Sequence, residues 1–158
     1  MEKIDWKNLS YDDFTGFVAV TAFLLFVLYF GGLWYATYDY RIQMRDQMVE
    51  MYKQLPNPIP PIEDDYGVHQ RWLVFYIDGV KVLNKPQPEN VINEYKKALE
   101  KEGWATEREY EHVRNDKNKI YGINMRKGEF ILSVSARENR DSINIHLIKR
   151  DWIYNKGF

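Results

Sequence analysis

The sequence predicts an α+β protein: a single transmembrane helix followed by a small two-layer domain in which one helix packs on an antiparallel β-sheet. Three observations predict it. Phe14 to Tyr38 carries no Asp, Glu, Lys or Arg, although these residues make up 28% of the chain. A later stretch, from about Glu89 to Glu102, repeats its apolar residues at helical spacing. The segments after it alternate apolar and polar residues with a period of two, as strands with one buried face do.

The first apolar stretch is long enough for a membrane. At 1.5 Å per residue it reaches roughly 35 Å, against a hydrocarbon core of about 30 Å. Trp34, Tyr35 and Tyr38 lie at its far end, where amphipathic rings favour the headgroup level. A buried core helix is the competing explanation, but so small a domain has too little surface to wrap every side of such a segment. A cleaved signal peptide fits poorly. The residues ahead of the stretch mix Glu2, Asp5, Asp12 and Asp13 with Lys3 and Lys7, and no small-x-small site follows it. Ser10 with Asp13 three residues on resembles a capping box, and Asp12 and Asp13 suit the positive end of the helix dipole.

The expected division is an N-terminal tail over 1–13, the transmembrane helix over 14–38, an extramembrane helix over 39–55, a proline-rich linker over 56–65 and the α+β domain over 66–158. In the extramembrane helix Met44, Met48, Met51 and Leu55 form one apolar stripe. Such a stripe suits contact with a partner helix, or it lies on the chain's own domain or on the headgroups. Pro56 ends that helix, and Pro56-Asn57-Pro58-Ile59-Pro60-Pro61 reads as an extended, semi-rigid strut.

Within the domain, Trp72 to Ile77 reads as a strand, and Asp78-Gly79 ahead of Val80-Lys81-Val82 reads as a hairpin turn. Pro86 and Pro88 lead into the helix over 89–102, whose apolar face is Val91, Tyr95, Ala98 and Leu99. Gly103 fits a left-handed residue just past its end, and Trp104 fits the contact back onto Leu99. A strand over 109–114 turns at Asn115–Asn118. It precedes three strands marked by Tyr121, Ile123 and Met125, by Phe130, Leu132, Val134 and Ala136, and by Ile143, Ile145 and Leu147. Residues 66–158 are expected to fold alone.

Composition excludes several function classes. The formal net charge of −1, from 22 basic and 23 acidic side chains, sets up no field for nucleic acid. With no cysteine there is no thiolate nucleophile, no disulfide and no Cys-based metal site. His112 and His146 could share a sheet face, but no spacing such as HxxxH or HExxH supplies further ligands, so locally bonded histidines are expected and no metal or cofactor is assigned. Ser133 and Ser135 fall mid-strand, outside any nucleophile elbow, and no glycine-rich phosphate loop is present. Glu107, Glu109 and Glu111 alternate, so at strand spacing they share one face as a charged edge. No catalytic residue is assigned.

The remaining signal is in the apolar helix. Thr15, Ala19 and Ala22, with Gly16 alongside, form a strip of small side chains on which another membrane helix can pack closely. The layout of tail, membrane helix, short extramembrane helix and small helix-on-sheet domain resembles, in architecture, the single-pass inner-membrane subunits of type IV pilus and type II secretion assembly platforms. The extramembrane helix here is shorter than their coiled coils, and no residue carries over. The expected function is that of a non-enzymatic, single-pass accessory or scaffold subunit of a larger membrane complex. Its partners are the lipid bilayer and other membrane subunits rather than nucleic acid, and its domain is placed on the extracytoplasmic side. A membrane-tethered peptide- or ligand-binding or sensing module is the alternative.

Overall fold

The computed structural model describes residues 11–71, 74–84, 86–113 and 118–150, and the side chains of 11–13 are not among those described. The expected cap at Ser10, the acidic side chains of Asp12 and Asp13, Trp72, and most of the turn at 115–118 therefore lie outside the described residues. The chain divides into two units, Met1–Ile42 and Gln43–Phe158.

The first unit is dominated by helix α1, Tyr11–Ala36. Its segment Phe14–Ala36, 23 residues, is long and apolar enough to cross a membrane, and none of it is buried in the protein. At Thr37 the helical ladder is interrupted only briefly. The Thr37 N–H donates to the Leu33 carbonyl at 3.0 Å, its hydroxyl donates to the same oxygen at 2.9 Å, and helix α2, Tyr38–Lys53, begins at the next residue.

The second unit is an antiparallel sheet of six strands with helices on one face, the α+β arrangement anticipated above. Its strands are β1 (Glu63–Arg71), β2 (Val74–Val82), β3 (Ala105–Val113), β4 (Lys119–Lys127), β5 (Phe130–Arg137) and β6 (Ser142–Lys149), in the order β1-β2-β6-β5-β4-β3. Helix α3, Pro88–Lys101, carries the chain from β2 across to the far edge and packs on β3, β4 and β5. Strands β3 to β6 then return as a meander until β6 pairs with β2. The covered face is continuous apolar surface: Ile77, Leu147, Leu132 and Met125 lie in one register row, and Ile145, Val134 and Ile123 in the next, all buried.

Helix α3 ends by the mechanism its sequence specifies. Gly103 takes φ +84°, Trp104 N–H donates to Leu99 O at 3.0 Å, and Gly103 N–H to Glu100 O at 3.1 Å. These are the two bonds of a Schellman ending, with Trp104 buried beside Leu99.

Three expectations change. Asp78-Gly79 is not a turn but lies mid-strand in β2, paired with Gly67 and Tyr66 of β1, and the β1–β2 connection falls at residues 72–73. Glycine is required there for another reason: a Cβ on Gly79 would collide with the ring of Tyr52 from α2. The compact unit starts at Gln43, so the border drawn near residue 65 runs through β1. Finally, Met44, Met48 and Leu55 are buried at 5, 0 and 5% exposure, Tyr52 joins them at 2%, and Met51 is half-buried. The stripe is committed within this chain rather than free for a partner. Tyr52, not in the predicted stripe, carries the packing because the helix presents i+4 from Met48 to the sheet.

Candidate functional site

The predicted small-residue strip, Thr15, Gly16, Ala19 and Ala22, lies on the exposed helix α1, and a Cβ built on Gly16 meets nothing within 4 Å. At the other end of this unit Arg41 folds back along the helix. Its guanidinium carbon sits 3.5 Å from the Trp34 ring centroid and 5.8 Å from that of Tyr38, and Nη2 donates to the Trp34 carbonyl at 2.9 Å. A cation is thus fixed beside the aromatic rings that end the apolar segment, with its stem covered by them.

In the second unit the densest group of ionisable side chains is Lys81, Asp64, Tyr52 and Tyr95. Lys81 points into the covered face with 1% exposure, where its ammonium pairs with Asp64 Oδ2 at 3.1 Å and donates to Asn57 Oδ1 in the proline strut. Tyr52 donates to Asp64 Oδ1 at 3.0 Å, stacks near Tyr66 at 4.8 Å, and lies under the ammonium at 5.4 Å. Burial, the hydrogen bond to Asp64 and its negative charge all favour the neutral phenol, so the Tyr52 pKa is pushed well above its ordinary value. Burial does the same to Tyr95, whose hydroxyl has no hydrogen-bond partner among the described residues. A phenol held neutral is unsuited to act as a base. What the network does is join α2, the strut, β1 and β2 through one buried charge.

Among the described residues of this unit, none covers the face of the sheet opposite α3. On it, His146 Nδ1 contacts Asp78 Oδ1 at 2.6 Å, and His69 Nε2 lies 3.7 Å from Asp78 Oδ2. Tyr76 stacks against His69 at 5.0 Å and lies 5.5 Å from His146. The two imidazoles approach different oxygens of one carboxylate from neighbouring strands. Among the described residues no group of three or more His, Asp or Glu side chains is arranged to hold a metal ion. His112, considered above as a companion of His146, sits on the same face but on β3, with β4 and β5 between them. The histidine that does join His146 through Asp78 is His69. The sequence reading misses it because a hairpin turn at Asp78-Gly79 leaves no place for β1, although the alternation of Tyr66 and Val68 with Asp65, Gly67 and His69 marks that strand.

The three glutamates of β3 do not share one face. A register shift between Thr106 and Arg108 turns Glu107 toward Arg126, 2.6 Å away on the open side. Glu109 and Glu111 point to the helix side and pair with Lys96 at 2.6 Å and Lys119 at 2.8 Å. Each lysine is held above its ordinary pKa by that hydrogen bond first. Between α3 and this edge lies a groove of about 250 Å³, lined by Glu89, Ile92, Asn93, Glu109, Glu111 and Tyr121 among others. Ser133 and Ser135 lie mid-strand on the open face.

Comparison with protein-family models, with curated proteins and with solved structures finds no match. The likeness to assembly-platform subunits is accordingly one of layout.

Proposed function

We propose that this chain is a single-pass, membrane-anchored accessory or scaffold subunit of a larger membrane complex, acting without catalysis. The observation that carries the reading is the 23-residue segment Phe14–Ala36, long and apolar enough to span a bilayer and wholly unburied by its own chain. Lipid and neighbouring helices are the surroundings that suit such a surface, and Thr15, Gly16, Ala19 and Ala22 give a neighbouring helix a place to approach. Arg41, held against Trp34 and Tyr38, suits the headgroup layer at the end of the span. The domain follows on the extracytoplasmic side in this reading.

The domain's ionisable groups support a structural role, because Lys81, Asp64 and Tyr52 saturate one another inside it. The tethered binding module is the second reading, and the groove beside α3 is the feature that favours it. Two of its carboxylates, Glu109 and Glu111, are already paired with lysines, so it offers a ligand less charge than its lining suggests. Extraction in a mild detergent followed by native gel and mass spectrometry tests the choice. Co-purifying membrane subunits at fixed stoichiometry are the expected result, and a lone species with no partner would overturn it.

A further inference from the structure

The open sheet face is electrically divided. By strand alternation Glu63, Asp65 and Asp78 point to it from β1 and β2, whereas Arg108, Arg126 and Arg137 point to it from β3, β4 and β5. Arg71, at the end of β1, is the exception on the acidic side, and Glu107 is the exception on the basic side, where it is already bound to Arg126. Down the middle, on β5 and β6, Ser133, Ser135, Asn144, Ile131 and Ile148 are short or apolar, and His146 among them is turned to Asp78. Within the second unit no described element covers this face, and Val80 stands 42% exposed on it.

We propose that this face binds a second copy of the same chain, sheet against sheet, about a two-fold axis running parallel to the strands between β5 and β6. The strand order β1-β2-β6-β5-β4-β3 puts that axis at the sheet's midpoint. Rotation about it lays β1 over β3 of the other copy, β2 over β4, and β6 over β5, so the acidic half of each copy covers the basic half of its partner. An interface of this kind is self-complementary by symmetry.

The axis also preserves level along the strands, which makes the register a further test of fit. Tyr76 shares a row with Ile148, Ile131 and Arg126. In the dimer Tyr76 therefore faces Arg126 of the other copy, and Ile148 meets Ile131. Arg108 lies over Gly67 of the other copy, flanked there by Asp65 along the strand and by Asp78 on the next one. At the opposite end of the strands Glu63 meets His112. No row opposes two like charges directly. The other two-fold in the plane, perpendicular to the strands, lays acid on acid and base on base and is disfavoured by the same charges.

The area is sufficient. Six strands at about 4.8 Å spacing and seven residues at about 3.4 Å rise give about 700 Å² per copy, or about 1,400 Å² in all, within the range of specific interfaces. Sheets packed in this way cross at about 30°, so on the outer strands the match is of acidic with basic surface rather than residue with residue, while the central β5–β6 rows stay opposed.

The chain has no cysteine, so a single introduced thiol gives an unambiguous cross-linking probe. In the full-length protein, in membranes or mild detergent, Ser135→Cys beside the axis should be joined to a dimer by a short bismaleimide, while Lys97→Cys on the exposed side of α3 should not. In the Ser135→Cys background, Arg108→Glu should lower the dimer yield about tenfold by placing acid beside acid, and adding Asp65→Arg should largely restore it. Circular dichroism of each variant checks that the domain is folded. The proposal is overturned if folded Ser135→Cys gives no dimer, if Lys97→Cys cross-links equally, or if Arg108→Glu leaves the yield unchanged. The test concerns copies of this chain alone and reads out whether or not other subunits co-purify.

Discussion

At the scale of single residues, the most consequential position is Gly79. Its missing side chain admits the Tyr52 ring, and Tyr52 is held there by Asp64 and buried to 2% exposure, so it cannot swing aside. Gly79→Ala should lower stability by about 1–3 kcal/mol through overpacking, measured by chemical denaturation. Gly122 has the same relation to Tyr110, but that ring is half-buried at the open face and can rotate outward. Gly122→Ala should cost distinctly less. Lys81→Ala leaves Asp64 facing a covered surface without its cation. Because Asp64 retains 34% exposure, water partly replaces the lysine, and the loss should be about 1–3 kcal/mol rather than the larger figure for a fully buried pair. Tyr95→Phe removes a hydroxyl that has no partner among the described residues and should leave stability unchanged or raised.

The same two tyrosines predict how the domain responds to alkali. Their folded-state pKa values lie above the unfolded value of 10.0, so folding favours the protonated phenol. The stabilisation is complete below that value. Above it the unfolded chain ionises while the folded chain does not, and stability falls as pH rises. Denaturation midpoints measured between neutral pH and about pH 11 should therefore decline, and Tyr52→Phe combined with Tyr95→Phe should flatten the decline.

At the scale of elements, α2 and the proline strut belong to the domain they were expected only to connect. Met48, Tyr52 and Leu55 are core residues, and Asn57 is bound to Lys81. A fragment starting near Tyr66 lacks all four, and it also lacks Glu63–Asp65 of β1. It should be unfolded or aggregated, whereas a fragment starting at Gln43 should be folded and monodisperse at low concentration; circular dichroism and size-exclusion chromatography distinguish them. The end of α3 is more local. Gly103→Ala forces a side chain into a left-handed backbone and should cost about 1 kcal/mol, while Leu132→Ala in the middle of β5 should cost about 2–5 kcal/mol.

At the scale of the whole molecule, the apolar helix and the domain pose separate questions. If the strip on α1 receives a partner helix, Ala19→Phe blocks close approach while keeping the segment apolar. The variant should still insert into membranes, resisting carbonate extraction, but leave the complex during native purification. Wild-type stoichiometry in the purified complex would count against the strip as a packing face.

Those features that depend on neighbours in sequence were legible from the residues alone. The uncharged run Phe14–Tyr38, the α3 face with its Gly103-Trp104 ending, and the alternation in β4, β5 and β6 each follow from local periodicity and backbone sterics. What tertiary structure decided is which surfaces meet. Asp78-Gly79 carries the local signature of a turn, yet Tyr52, distant in sequence, needs that glycine inside a strand. The stripe Met44, Met48, Met51 and Leu55 fitted a partner or the domain equally well until the sheet was there to cover it. The join of His69 to His146 through Asp78, and the division of the open face into acidic and basic halves, depend on β6 inserting between β2 and β5. Side-chain period states which face a residue occupies, but only long-range strand pairing states which residues share it.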